Sequence, residues 1–459
     1  MVTSTHQRGR LFVAFAAIPI AVVAVDIAVN AESVPYWDDW ISTLDLAIKS
    51  ADGTITFGDL TRQYNDSRTF FTNLLTVANT RLSQWDLRVE MGFGLALMVV
   101  SMVLLTSMYR RLHPEDGTFV VLPFSLVLFS LTQRFRYLHA LSTQYSFLIF
   151  FLVAALWALT RFPPGWLPLL LASLACGGAT FSYGNGFLTW FVLLPVLWMI
   201  GYRDLRYMIA WAASATLFLG LFFWGYRLRT ETGAWIFDPW FHFRFLLAFL
   251  GNPLTGRGGL VLDTAVGAAG FVCLTANAVY LLRRGRPLRE LAPWLALAAF
   301  VVVSATLAAV ARGTRFGLGG AAVSRYTTLG SLFWVGYVAL AVQVARSTWQ
   351  QFVAGHGRPA AALVNALVAA LLVGSLLTAE VQWAREPLPV TSAHRECLRA
   401  VPRSGQIECL AGVLPVPQTA RSLAAARPHV LAKVRRLAEL ELGVFAGRPA
   451  VPAASSQSR

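Results

Sequence analysis

Long apolar runs alternate with polar segments along this chain. Eleven runs stand out, near residues 11–29, 91–109, 118–132, 145–160, 166–181, 187–201, 207–224, 260–282, 291–311, 327–345 and 361–380. A helix of roughly 20 residues crosses the ~30 Å hydrocarbon core of a bilayer, where lipid cannot satisfy open backbone groups. The pattern therefore predicts an all-α integral membrane protein with about eleven transmembrane helices.

Two polar stretches are much longer than the others. Residues 30–90 form the first loop, and residues 381–459 follow the last run, so the chain divides into a transmembrane domain (1–380) and a small C-terminal tail. Arg8 and Arg10 precede the first run, and by the positive-inside rule they place the N-terminus in the cytoplasm. The first loop, with its interfacial helices, and the tail are then expected on the periplasmic side.

The amino-acid composition is typical of a membrane protein, and it also indicates the kind of genome that encodes the chain. The chain is 56% hydrophobic and only 13% charged, whereas soluble domains carry about 25% charged residues. Only Lys49 and Lys433 among the 38 basic residues are lysine, which with abundant Ala and Gly is typical of a GC-rich bacterial genome. The inner membrane of a bacterium is therefore the expected location. The arginines are scattered through the loops, so the net charge of +15 does not indicate a nucleic-acid partner.

The first loop opens with an acidic and aromatic cluster, Tyr36-Trp37-Asp38-Asp39-Trp40. A carboxylate partly withdrawn from water can take a proton from a hydroxyl group, which makes Asp38 and Asp39 candidate catalytic residues. Neighbouring residues point in different directions on a helix or a strand, so one of the two is expected to face any single site. The alternative is a solvated carboxylate beside tryptophans that anchor the chain at the interface.

The rest of the first loop predicts surface helices and a second polar constellation. Apolar residues at helical spacing predict amphipathic helices near 41–48 and 59–78, lying along the membrane surface. Within the second stretch stands Asn65-Asp66-Ser67-Arg68. Asp66 and Arg68 are predicted either to orient a ligand or to pair with each other.

Three further outer segments, 133–144, 225–258 and 312–326, are rich in arginine, and the last also contains several glycines. Arginine binds phosphate through two parallel hydrogen bonds, and glycine allows a ligand to approach the backbone closely. These properties predict contact with a lipid phosphate; the alternative is that the arginines cap helix C-termini or meet lipid headgroups. The candidate binding residues here are Arg136, His139, Arg312, Arg315, Arg325 and Tyr326.

The tail contains a pair of cysteines, Cys397 and Cys409, twelve positions apart. On the periplasmic side such a pair is expected to form a disulfide, and the alternative is two free thiols. A zinc site is not expected, because only His394 is near and no paired CxxC spacing exists. Helical spacing of apolar residues also predicts a helix over 428–445.

Layout and motifs together resemble the GT-C class of membrane glycosyltransferases, which have many spans and a long first outer loop with an acidic residue near its start. Tyr36-Trp37-Asp38, Asn65 to Arg68 and Ser324-Arg325-Tyr326-Thr327-Thr328 are similar to segments that recur in uncharacterised bacterial proteins of this type. In those proteins the second segment usually carries Glu-His, where this chain has Asp66-Ser67.

The resemblance implies an inverting transfer from a polyprenyl-phosphate-linked sugar to an envelope glycan, lipid or protein at the periplasmic face. Asp38 or Asp39 would be the base, with Asp38 at the recurrent position, and Arg325 with its neighbours would hold the donor phosphate. No cofactor is certain; some members of the class use a divalent metal ion and others do not.

Two other functions fit a membrane protein of this layout. One is a transporter or flippase of a lipid-linked envelope precursor, and the other is a protein like the O-antigen polymerases and ligases. Ion-coupled transporters place polar sites near the bilayer midplane, where this chain has no charged residue. The polymerases and ligases typically rely on a large outer loop late in the chain, whereas here the large acidic loop comes first.

Overall fold

The computed structural model describes residues 2–114, 119–227, 238–256, 258–353 and 360–447, whose regular secondary structure is helical. Seven of these helices are long and apolar enough to cross a membrane, and three more are apolar but shorter. The chain is therefore an α-helical, multi-pass membrane protein. The seven long segments are Leu11–Asn30, Leu87–Leu112, Ala140–Arg161, Leu205–Phe223, Leu260–Arg283, Leu288–Gly313 and Tyr326–Val353, and the shorter ones are Trp166–Thr180, Gly184–Met199 and Val368–Ala384.

The α-helices of the described residues are, in chain order, α1 (Val2–Asn30), α2 (Thr43–Ala51), α3 (Phe57–Thr61), α4 (Phe70–Ser83), α5 (Leu87–Leu112), α6 (Val121–Leu128), α7 (Arg134–Tyr137), α8 (Thr143–Arg161), α9 (Trp166–Thr180), α10 (Leu188–Met199), α11 (Leu205–Phe223), α12 (Pro239–Thr255), α13 (Leu260–Arg283), α14 (Leu288–Phe316), α15 (Ser324–Val353), α16 (Ala360–Ala384), α17 (Ser392–Ser404) and α18 (Ala420–Glu439).

The predicted span at 118–132 is a short helix followed by turns. Helix α6 has eight residues, which rise only about 12 Å. Ser130 then ends the apolar stretch, because its hydroxyl accepts a hydrogen bond from the backbone N–H of Thr132 and caps a new turn. As a result the chain changes direction before α7, and the turn presents Arg136 and His139 to the first loop.

Helix α12 lies where the sequence predicts only an outer segment, 225–258. It begins at Asp238, whose carboxylate accepts a hydrogen bond from the backbone N–H of Trp240, and at Pro239 in the first turn, both common at helix starts. Most of its second half is buried against α13. An ideal Cβ on Gly251 would stand 1.8 Å from the backbone oxygen of Asp263, so the two backbones touch at this position.

The first loop contains three helices, where the apolar pattern predicts two. Leu44 and Ala47 on α2 are buried, and the Ser50 hydroxyl donates to the Val77 carbonyl on α4 at 3.5 Å. Between α3 and α4 the chain turns back on itself through an antiparallel bridge between Tyr64 and Ser67. This turn interrupts the second predicted helix and carries Asp66 toward the helix bundle.

The tail packs on the first loop. Lys433 of α18 forms an ion pair with Asp45 at 2.7 Å and donates to the Trp40 carbonyl at 2.6 Å. Arg395 of α17 pairs with Glu32 at 3.0 Å. These contacts place the tail directly over the acidic cluster.

Helix α18 itself begins at Ala420, eight residues before the predicted start at 428, and ends at Glu439, six residues before the predicted end at 445. The apolar positions Val430, Val434 and Leu437 are buried, as their spacing indicates. The buried face of α18 is therefore the one that the sequence pattern predicts.

A disulfide joins Cys397 to Cys409, with 6.0 Å between their Cα atoms. We expect the double variant Cys397→Ser/Cys409→Ser to lose about 3 kcal/mol of unfolding free energy, since a closed loop of this length restricts the unfolded chain. Thermal unfolding of the detergent-purified protein, with and without reductant, measures the effect. Cys273→Ala, which removes a free thiol, is the control. An unchanged unfolding temperature in the double variant would contradict the expectation.

Candidate functional site

A cavity of about 570 Å³ opens between the first loop, the segment around α7, the C-terminal end of α14 and the tail. We call it the main cavity. Its wall is formed by Tyr36, Trp37, Asp38, Ile41, Tyr64, Asn65, Asp66, Phe135, Arg136, His139, Leu141, Ser142, Gln144, Tyr145, Ala311, Arg312, Phe316, Val323 and Pro415.

Five of the residues predicted from the sequence line the main cavity: Asp38, Asp66, Arg136, His139 and Arg312. They come from three segments far apart in the chain. A wall with two carboxylates, two guanidinium groups and an imidazole is suited to binding a charged ligand and to moving a proton.

A smaller cavity of about 420 Å³ adjoins the main cavity and shares Tyr36 and Phe135 with it. The two rings pack edge to face, with 5.4 Å between their centroids. On the far side the smaller cavity is lined by Trp383 and Glu386. An aromatic partition thus stands between two adjacent spaces.

The two adjacent aspartates of the acidic cluster lie in different environments. Asp38 lines the main cavity, and its carboxylate has no hydrogen-bond or ion-pair partner among the described residues. Asp39 is only 1% exposed and points inward. Its carboxylate accepts hydrogen bonds from the backbone N–H of Tyr36 and the hydroxyl of Thr43, each at 3.1 Å. A 3-10 helix over Trp37–Ile41 produces this divergence.

His139 connects the buried Asp39 to the cavity wall. Its Nε2 lies 3.4 Å from Oδ2 of Asp39, an ion-pair distance, and its Nδ1 lies 3.1 Å from the hydroxyl of Ser142. The ring also packs edge to face on Tyr36. Burial lowers the pKa of His139, but the charge of Asp39, with the charge of Asp38, outweighs burial and raises the pKa above its ordinary value.

Arg136 is a buried cation with unused hydrogen-bond donors. The residue is 3% exposed, and burial lowers the pKa of its guanidinium, which nevertheless stays charged. One nitrogen donates to the Ser146 hydroxyl, and the group stacks 4.4 Å from the ring of Tyr137. Nε and Nη1 have no partner within the described ranges, and no carboxylate there pairs with this guanidinium. A buried polar group without partners is costly, so a bound anion is the expected occupant.

Arg312 and Asp66 close another part of the wall. Nη2 of Arg312 lies 2.9 Å from Oδ2 of Asp66, and this pair joins α14 to the turn of the first loop. The pairing differs from the predicted alternative, in which Asp66 pairs with Arg68. Because both side chains are partly exposed, the pair contributes at most about 1 kcal/mol and can open to a ligand.

Arg68 has a structural position and does not line the main cavity. Its guanidinium donates to the carbonyls of Thr61 and Phe222, each at 2.7 Å, and to the carbonyl of Trp224. It therefore fastens the first loop to the end of α11. These bonds use three of the five N–H groups of its guanidinium. A role of Arg68 in ligand binding stays a prediction.

The remaining predicted residues lie near the end of α14 and the start of α15. Tyr326 is buried, packs against Phe249 with 4.9 Å between ring centroids, and does not line the main cavity. Arg315 and Arg325 stand on α14 and α15, and their side chains lie outside the described residues.

Most wall residues were not candidates from the sequence, and Ser142 and Pro415 are two of these. Ser142 lies three residues after His139, and this spacing within the arginine-rich segment was a usable signal for a shared turn. Pro415 comes from the tail, and its position depends on how the tail packs on the first loop. No local pattern indicates such a contact.

Within the described ranges, no group of three or more His, Cys, Asp and Glu side chains is arranged to hold a metal ion. Comparisons with family models, with curated proteins and with solved structures found no match to this chain. The chemistry of the main cavity is therefore the basis for assigning a function.

Proposed function

We propose that this protein is a membrane glycosyltransferase that moves a sugar from a polyprenyl-phosphate donor to a hydroxyl group of an envelope glycan, lipid or protein. The observation that carries the proposal is the presence, in one cavity wall, of the Asp38 carboxylate and of Arg136, whose Nε and Nη1 have no hydrogen-bond partner among the described residues. Transfer from a phosphate needs a cation for the leaving group and a base for the acceptor. The site would face the outer leaflet of a bacterial inner membrane.

Arg136 would hold the donor phosphate. Its Nη1 has no hydrogen-bond partner among the described residues and would donate to a phosphate oxygen, and a fixed cation in a water-poor site stabilises the charge that develops on the leaving oxygen. Arg312 would supply a second cation from the opposite segment when its pair with Asp66 opens.

Asp38 would accept the proton of the acceptor hydroxyl. The attacking oxygen then forms its bond to the sugar carbon as the bond from that carbon to the phosphate oxygen breaks. The smaller cavity behind Tyr36 and Phe135 would hold the acceptor, and its Trp383 offers an aromatic face to a sugar ring. Two adjoining spaces suit a reaction with two substrates.

We expect Asp38→Asn to lower the transfer rate by on the order of 10²–10⁴-fold, because loss of a general base has effects of this size. The assay is release of undecaprenyl phosphate from a panel of undecaprenyl-phosphate-linked sugars by the purified protein in liposomes. Asp204→Asn, at an exposed helix cap remote from the cavity, is the matched control.

Two outcomes would contradict the proposal. One is an Asp38→Asn variant as fast as the wild type. The other is a wild-type protein that moves lipid-linked sugars across the liposome bilayer without releasing phosphate, which is the behaviour of a flippase.

A further inference from the structure

Three polar groups lie in a row from the protein interior to the wall of the main cavity. In order, they belong to Asp39, His139 and Ser142. Oδ2 of Asp39 lies 3.4 Å from Nε2 of His139, and Nδ1 lies 3.1 Å from the Ser142 hydroxyl. Asp39 is held by Tyr36 and Thr43, so its orientation is fixed. The last of the three polar groups belongs to Ser142, which lines the main cavity.

We propose that these three polar groups form a proton relay that protonates the leaving phosphate. Ser142 touches the substrate, His139 supplies the proton to Ser142, and Asp39 positions His139. The proposal rests on the proposed function and assigns a different role from that of Asp38. Arg136, three residues before His139, stands on the same wall, so the phosphate that it binds would lie beside the relay.

The protonation state of the imidazole gives the relay its direction. In a protonated imidazole both nitrogens carry hydrogen, so Nδ1–H donates to the oxygen of Ser142, and the positive charge at Nε2 lies 3.4 Å from the Asp39 carboxylate without a hydrogen bond to it. The Ser142 hydroxyl must then donate its own hydrogen, and the space in front of it is the main cavity. The buried carboxylate favours this charged form and raises the pKa of His139.

The proposed step balances in atoms and charge. As the bond from the sugar carbon to the phosphate oxygen breaks, its electron pair stays on that oxygen, and the acceptor oxygen bonds to the carbon. Asp38 takes the acceptor proton. The Ser142 proton passes to a phosphate oxygen, and Ser142 receives the Nδ1 proton of His139. After product release, Asp38 loses its proton to water and His139 regains one.

Other charged groups around the imidazole must be considered for any pH dependence. Asp39, Asp38 and Tyr36 of the first loop act on His139 directly. Arg136 shares its wall, and Glu90 of α5 acts electrostatically on Asp39. The substitutions below therefore compare proteins that keep all of these groups except the one replaced.

The test measures binding of undecaprenyl phosphate to the full chain from pH 6 to pH 9, together with the transfer rate. Wild-type affinity and rate should fall as the pH rises through the pKa of His139, above the ordinary histidine range. His139→Gln should remove this step. Asp39→Asn should move it to lower pH, because the group that raises the pKa is gone. The ligand's own titration is common to every variant and cancels in the comparison.

Substitutions of Ser142 distinguish a role in the relay from a purely structural role. Ser142→Ala should weaken binding by about tenfold, whereas Ser142→Thr, which keeps the hydroxyl, should retain most of it. Ser101→Ala, at a buried serine of α5 away from the cavity, is the matched control and should bind as the wild type does.

The outcomes distinguish failure of the relay from failure of the proposed function. A wild-type protein that transfers sugar, with Ser142→Ala and His139→Gln keeping its pH profile, would overturn the relay alone. Stoichiometric labelling of Ser142 by a fluorophosphonate would also overturn it, since that reaction marks a nucleophile. A wild-type protein that neither binds undecaprenyl phosphate nor releases it from any donor would overturn both.

Discussion

Replacing Arg136 with methionine is expected to lower the affinity for undecaprenyl phosphate by about 10²-fold, since a charge-assisted hydrogen bond and a fixed positive charge are lost. The substitution keeps an unbranched apolar stem in the site and removes a buried charge that has no carboxylate partner among the described residues. Stability should therefore be unchanged or slightly higher, because burying an unpaired ion is costly. Arg136→Lys should be intermediate, since it keeps the charge and loses the planar pair of donors. Binding of radiolabelled undecaprenyl phosphate and thermal unfolding measure both effects.

Arg134 offers a matched control two residues earlier. Its guanidinium pairs with Asp26 at 2.8 Å and donates to the carbonyls of Trp383 and Glu386, so it serves the packing of α1 against the end of α16. Arg134→Met should lower the unfolding temperature while the folded protein still binds phosphate. If Arg136→Met unfolds earlier and binds normally, Arg136 has a structural role instead.

Gly267→Ala is expected to cost at least about 3 kcal/mol of unfolding free energy, at the upper end of overpacking effects. A Cβ at this position would stand 1.8 Å from the Leu247 carbonyl oxygen and 2.9 Å from the backbone nitrogen of Gly251. Backbone atoms cannot rotate away as a side chain can, so α12 must separate from α13. Phe241 of α12 also supports Gly313, next to Arg312. The fraction of protein that stays monodisperse on size exclusion after heating measures the loss.

Gly92 of α5 is the control for this substitution, because no atom lies within 4 Å of an ideal Cβ there. Gly92→Ala should be neutral or more stable by up to about 1 kcal/mol, from helix propensity alone. If Gly267→Ala and Gly92→Ala unfold at the same temperature as the wild type, the close approach of α12 and α13 is not important for stability.

Apolar periodicity was sufficient for most of the helices, and α6 and α12 show two ways in which it was insufficient. The run at 118–132 is continuously apolar, and nothing in its composition shows that Ser130 caps a turn inside it. Helix α12 has the opposite character: His242, Arg244 and Asn252 dilute its apolar pattern, although most of its second half is buried. Its burial comes from glycines that let α13 approach, which is a property of two segments together.

The sequence indicated which segments contribute residues to the candidate site. It did not indicate which residues of different segments pair with each other. Carboxylates and arginines stand out in outer loops, which is how Asp38, Arg136 and Arg312 were found. The pairing of Asp66 with Arg312 joins residues 246 positions apart, and a contact at that separation depends on how the helices pack. Arg68 shows the same limit, because its partners are backbone carbonyls at the end of α11.

The position of Pro415 in the wall has a consequence for the order of events during synthesis. Helices α1 to α16 leave the ribosome before Pro415 and Lys433, and N-terminal parts of a chain generally fold first. The main cavity thus lacks one side until the tail has emerged, the Cys397–Cys409 bond has closed and Lys433 has reached Asp45. A nascent chain with a complete helix bundle would still have an unfinished site, so the activity of this protein should begin only after translation of the tail.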